Sequence, residues 1–342
     1  MRIVVAGADG FIGGHIVDEL LRHDVEVLAL VGPATTGDSP QRANLERLEL
    51  EVAQGDPSDA DWVLSLIKRP GLPETDFVIN AVQLSVPGLR PEVYADVNVG
   101  AATGLLDACS QSGVEAFLQM SSTVVYGDQL PPWPVTEGRA FRPDGPVAQS
   151  IAMAERAVRT YRRRVPVIVV RPAPTFGPRQ RGSMAALFDY ILDQHKPRLV
   201  AGGNAPVSLA YATDLARAVW GLIAHAADAI DGSFHVRSFD TDWRTLVMES
   251  QRLLGRPPLV RSVPLRAATL AGHLGLSDWL LQPPAGVSRY VDRTGRPHLF
   301  DGVRLQAATG FEPVFGLGAA LRQTLEALSA DRPEIRELSG LR

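Results

Sequence analysis

This chain of 342 residues holds a single cysteine and only two lysines, Lys68 and Lys196. The lone Cys109 cannot close an internal disulfide, which excludes a disulfide-stapled fold and fits a reducing compartment. Its neighbours Ala108 and Ser110 continue a helical pattern, so it reads as a buried structural thiol. The net charge of -4 gives no general pull toward nucleic acid. No apolar run reaches the ~18 residues that a membrane span needs. The N-terminal run Ile3-Val4-Val5 is broken by glycines and Asp9 before a secretory h-region could form. The seven histidines lack metal-ligand spacing. The expectation is a cytoplasmic protein with a small-molecule substrate, no metal, and neither nucleic acid nor membrane as partner.

What the chain does have is alternation. Short apolar runs at Ile3–Val5, Val25–Val31, Phe77–Ile79, Ala116–Leu118 and Val165–Val170 read as buried parallel strands. Helical patterns over Asp59–Lys68, Val97–Ser112 and Ser150–Arg164 lie between them. This predicts an α/β fold, a Rossmann-type doubly wound parallel sheet, with a smaller, mostly helical C-terminal substrate domain. Residues 1–176 form the dinucleotide-binding part, with 207–238 returning to it. Residues 177–206 and 239–342 form the substrate-binding portion, including predicted helices over Gly182–His195 and irregular sequence over Gly255–Pro297.

The first strand runs into Gly7-Ala8-Asp9-Gly10-Phe11-Ile12-Gly13, spaced G-x-x-G-x-x-G. Gly7 lets the chain turn off the strand, Gly10 admits a pyrophosphate, and Gly13 lets the helix pack on the sheet. The amides near Phe11 and Ile12 then face phosphates from the positive end of the helix dipole. A strand before the glycines and an amphipathic helix after them point to a dinucleotide site. The second strand ends Leu30-Val31-Gly32-Pro33, without the carboxylate that would hold an NAD ribose. That absence leans toward NADP, with Arg42 either reaching the extra phosphate or lying solvated on the next helix.

Several further segments stand in order. They are Gly55-Asp56; Asn80-Ala81; Asn98 to Thr103; Ser121-Ser122-Thr123-Val124-Val125-Tyr126-Gly127; Arg171-Pro172 to Gly177-Pro178; and Tyr211 to Ala216. Together with the glycine turn, the chain resembles the extended short-chain dehydrogenases/reductases, which include nucleotide-sugar epimerases and dehydratases. The resemblance implies that Asp56 meets adenine and that Ala81 and Val82 line the adenosine. It sets Ser121 and Ser122 beside the nicotinamide, with backbone from Pro172 beneath the ring. Ser122 matches the family's carbonyl-polarising hydroxyl, which donates to a substrate oxygen as charge develops; Thr123 is a stand-in. The alternative role for Ser122 is to cap the strand end. Ser85, Tyr126 and Trp133 are the expected substrate contacts, the indole offering a flat apolar face.

The family's acid is a tyrosine four residues before a lysine. Registering the helix on Pro146, Ser150 and Glu155 puts Val147 and Ile151 at those two positions, and none of the six tyrosines precedes a lysine by four. Three functional readings follow. The first is an NADPH-dependent ketoreductase acting on a bulky, aromatic polyketide-type ketone, protonated by water or by the substrate itself. This resembles the atypical angucycline ketoreductases of simocyclinone-type antibiotic pathways. The second is a non-catalytic NAD(P)-binding or redox-sensing protein, and the third a nucleotide-sugar epimerase or dehydratase. Family members pair through the helices matching 97–112 and 150–164. Arg156, Arg159 and Arg162–Arg164 charge the second helix, so monomer and homodimer both stay open.

Overall fold

In the computed structural model, Arg2–Ala6 form β1, whose five residues are all buried, and Gly7 ends it. The structure describes residues 1–32, 45, 48, 50–71, 74–86, 88–180, 183–193, 196–273 and 295–330. After β1 come α1 (Phe11–Leu20), β2 (Glu26–Val31), β3 (Glu51–Gln54), α2 (Ala60–Ile67) and β4 (Phe77–Asn80). Next are α3 (Pro91–Cys109), β5 (Ala116–Met120), a 3-10 turn over Thr123–Tyr126, α4 (Gly145–Thr160) and β6 (Val167–Pro172). The chain continues through β7 (Thr175–Phe176), α5 (Ser183–Asp193), β8 (Arg198–Val200), β9 (Pro206–Tyr211), α6 (Ala212–Ala224), α7 (Ala226–Ala229) and β10 (Ser233–Val236). It closes with β11 (Phe239–Asp242), α8 (Trp243–Leu253), β12 (Arg261–Val263), α9 (Leu265–His273), α10 (Val303–Thr309) and α11 (Leu317–Ala330).

Among the described residues, seven strands pair in the order β10-β6-β5-β4-β1-β2-β3, each neighbour parallel. The fold is therefore the doubly wound Rossmann type. Strand periodicity divides the core. Ile3, Val5, Ile79, Leu118 and Ile168 face one way and pack on Ile16, Val17 and Leu20 of α1, Leu215 and Val219 of α6, and Phe234. Val4, Ala6, Val78, Phe117 and Val167 face the other way, toward α2, α3 and α4. A further cluster gathers Phe176 and Leu187, Phe188 and Ile191 of α5 with Leu209, Trp243, Leu246, Leu321 and Leu325.

The helix starts differ from those expected. α3 begins at Pro91 rather than Val97, and α4 at Gly145 rather than Ser150, each with proline in its first turn. Proline lacks only an amide that would be orphaned there anyway, so each helix can start at or beside its proline, ahead of the expected start. α4 also stops at Thr160, where Arg164 and Val165 donate to the Tyr161 carbonyl and close a turn before β6. Among the described residues, no helix is long and apolar enough to cross a membrane.

Candidate active site

Strand order reverses between β1 and β4, and ligands of such sheets sit outside the carboxyl ends at that point. The sheet brings most of the expected cofactor residues to this edge. Gly7 follows β1, Asp56 comes shortly after β3, Ala81 and Val82 follow β4, Ser121 and Ser122 follow β5, and Pro172 ends β6. Arg42 lies outside the described residues.

Gly7 has φ +77°, and a Cβ there would stand 2.9 Å from both the Ala81 carbonyl carbon and the Val82 amide nitrogen. The turn and the β4 loop therefore touch backbone to backbone. A Cβ on Gly13 would lie 2.0 Å from the Gly7 oxygen, so only glycine lets α1 approach this closely. Gly10 caps α1 without a side-chain hydrogen bond, and no acidic residue stands in the first turn. The amides of Phe11, Ile12 and Gly13 precede the first helical bond, Gly14 N–H to the Gly10 carbonyl at 3.0 Å. An uncapped helix start with no acidic residue in its first turn fits a pyrophosphate. Asp56 is exposed and its Oδ1 accepts from the Ser58 amide and hydroxyl at 2.9 and 2.8 Å.

The three consecutive hydroxyls past β5 have different commitments. Ser121 is buried and donates to Glu155 Oε2 at 2.7 Å. Its side chain thus faces α4. Thr123, also buried, donates to the Pro172 carbonyl at 3.1 Å, so it ties β5 to β6 and has no proton left as a stand-in. Ser122 is half-buried and only accepts, from the Val124 amide at 3.3 Å. Its proton is the one of the three left to donate.

Tyr126 was expected against substrate but is fully buried. Its hydroxyl bonds His235 Nε2 at 2.8 Å and accepts from Arg171 Nη1 at 2.5 Å. Burial, only partly offset by Arg171, pushes its phenol up to about 12. His235 Nδ1 lies 3.1 Å from the Asp301 carbonyl, to which only an N–H can bond, so Nε2 is the acceptor in the neutral ring. Burial first, and the Arg171 charge second, lower the imidazole to about 4. Burial would raise the Glu155 carboxyl, but Arg171, with help from Ser121 and Arg159, holds it below its ordinary value. Arg171 completes the assembly with Nε to Glu155 Oε2 at 3.0 Å and a shorter Nη2 bond to Oε1. This buried network escaped the sequence reading. In the sequence Glu155 only registers α4, Arg171 only opens a segment of the family resemblance, and nothing local marks His235.

The two residues that the helix register sets at the acid-pair positions lie in an apolar cluster. Ile151 is buried, and Val147 packs beside it, in a cluster with Val125, Tyr126, Ala173, Ala210 and Phe300. Of the remaining expected substrate contacts, Ser85 is exposed and Trp133 is 65% exposed. The Ser85 loop is held by Asn98, whose amide accepts from Leu84 N–H at 2.6 Å and donates to its carbonyl at 3.1 Å. The same amide donates to Ser150 Oγ on α4 at 2.9 Å. Val135, two residues past Trp133, bridges to the 299–301 segment through its amide and carbonyl. No metal-binding cluster exists among the described residues.

The family model described as the NAD dependent epimerase/dehydratase family matches residues 3–236. The uncharacterized UDP-glucose epimerase YtcB of Bacillus subtilis is 28% identical over 239 residues, 64% of this chain and 71% of that protein. A UDP-glucuronic acid 4-epimerase from Bacillus cereus, solved in complex with NAD, superposes with a TM-score of 0.77 at 18% identity, covering 96% of this chain and 99% of that one. A UDP-N-acetylglucosamine 4-epimerase from Methanobrevibacter ruminantium gives 0.75 at 23% identity, with 96% and 98% coverage. These relatives overturn the expectation of a polyketide ketoreductase and favour the nucleotide-sugar alternative. A missing tyrosine and lysine remove an acid but do not specify a substrate.

Proposed function

Because the chain belongs to the NAD dependent epimerase/dehydratase family, we propose that it binds a nicotinamide dinucleotide and acts on a nucleotide-linked sugar. The names of its relatives support the substrate class, and the uncapped start of α1 supports the cofactor. The Gly7–Gly13 turn and the first amides of α1 hold the pyrophosphate, with Ala81 and Val82 along the adenosine. Held there, a dinucleotide would supply hydride transfer at a sugar carbon. The observation that carries the reading is Ser122, whose uncommitted hydroxyl proton is available to a sugar oxygen. The finer cofactor preference is for NADP, since Val31-Gly32 presents no carboxylate to repel a 2′-phosphate.

Val147 and Ile151 supply neither acid nor base, so the proton passes to water or to a neighbouring hydroxyl of the substrate. A missing general acid or base typically costs ~10²–10⁴-fold in rate, so turnover is slow beside that of tyrosine-bearing enzymes. The same apolar pair favours a second reading, a protein that binds cofactor and does not turn over. Incubating the protein with NAD or NADP and UDP-glucose, UDP-N-acetylglucosamine or dTDP-glucose, with product followed by NMR of the sugar protons, separates the two. An epimerised or dehydrated product that disappears in Ser122→Ala supports the first. Dinucleotide binding with no product from any of the three sugars supports the second, and failure to bind either dinucleotide sinks both.

A further inference from the structure

A recess of about 270 Å³ opens between α4 and the loop that precedes it, lined by Glu137, Arg139, Phe141, Arg156 and Arg159. α4 connects parallel strands and so runs opposite to them. Arg156 therefore lies ~7.5 Å further along the helix than Ile151, away from the cofactor edge.

Three guanidinium groups meet at this recess in different states. Arg159 is partly neutralised by Glu155, 2.8 Å away. Arg156 is exposed on the helix surface, its guanidinium 5.9 Å from the centroid of the Phe141 ring, with Arg159 at 5.4 Å. Arg139 reaches the Gln129 carbonyl at 3.4 Å through Nη2, while its Nε is buried without a hydrogen-bond partner. The opposing Glu137 carboxylate is nearly buried and accepts from the His235 amide at 3.0 Å, so it is turned toward the protein. Phe141 offers its face to cations, and Arg171 lies beneath it at 5.0 Å. The recess thus presents positive charge and forked N–H donors around an aromatic ring.

We propose that this recess is a second ligand site, separate from the dinucleotide edge, that binds the phosphate group of a phosphomonoester or inorganic phosphate. Guanidinium forks match the oxygens of phosphate. A phosphate carries about −1.5 to −2 charges at pH 7 and balances Arg139 and Arg156 together. A single carboxylate balances only one of them.

The test is calorimetric titration of the full chain with inorganic phosphate and, separately, with glycerol phosphate, comparing wild type with Arg156→Gln and Arg139→Gln. Arg156 is exposed, so its variant keeps the fold, and circular dichroism checks both. The expected result is saturable binding of one phosphate per chain, weakened about tenfold or more in each variant and not competed by acetate. Tighter binding of glycerol phosphate than of phosphate marks the ester as ligand, and equal binding marks the free ion. Absence of saturable binding up to about 10 mM, or binding unchanged in both variants as at the start of α1, overturns the proposal.

Discussion

The Tyr126 hydroxyl lies 2.8 Å from His235 Nε2, although 109 residues separate them in the chain. The pair joins the turn after β5 to the edge strand β10, and Arg171 on the intervening β6 bonds the same hydroxyl. Tyr126→Phe preserves the ring packing and removes the shared oxygen. It leaves His235 Nε2 and one Arg171 donor unsatisfied, so the expected loss is ~1–3 kcal/mol of stability, measured as a shift in urea midpoint. No shift would mean that the network contributes nothing net.

The pH dependence follows from two imidazoles held neutral. His235 and His15 are each lowered to about 4, by burial first and then by Arg171 and Arg179 respectively. In the unfolded chain each titrates near 6.5. Above that pH both states are neutral and no stability is lost. As pH falls below 6.5 the unfolded state takes up protons that the native state refuses, and stability declines until about pH 4. The expected slope approaches ~1.4 kcal/mol per pH unit for each histidine. Urea midpoints between pH 7 and 4 should fall, and His235→Gln should show about half the slope. A flat profile contradicts this account.

Gly13→Ala places a methyl 2.0 Å from the Gly7 oxygen, backbone that no side-chain rotation can clear. α1 must move away from the turn, which displaces the amides proposed to hold the pyrophosphate. The expected outcome is at least a tenfold weaker dinucleotide affinity, read by fluorescence or calorimetric titration. An unchanged affinity would place the cofactor elsewhere.

The end of β2 gives a prediction about cofactor choice. With Gly32 where an acid would stand, NADPH is expected to bind more tightly than NADH. Parallel titrations decide it, and equal affinity or a preference for NADH would overturn it.

Much of the sheet was legible in the sequence because buried parallel strands are continuous apolar runs. Ile3–Val5 and Phe77–Ile79 needed no tertiary information. β3 is not visible as an apolar run: its sequence Glu-Val-Ala-Gln lies at the sheet edge and is mostly exposed. The edge residues of the site were also legible, since each follows a strand. What the sequence could not show is which way three adjacent hydroxyls point. Ser121, Ser122 and Thr123 look interchangeable in a line of text. Their partners Glu155 and Pro172 come from α4 and β6 and exist only after packing. His235 was invisible for the same reason, its environment being made entirely by distant segments.

The position of β10 has a consequence for how the molecule is made. Ser233–Val236 extends the main sheet past β6, and α6 covers the face already lined by α1, yet both lie beyond residue 206. A chain cut after residue 176 would leave β6 as a bare hydrogen-bonding edge and strip the cover from Ile16, Val17 and Leu20, the conditions for strand-to-strand aggregation. During synthesis the main sheet is incomplete until residue 236 has left the ribosome. The sheet that residues 1–176 begin is therefore completed only by a segment beyond residue 206.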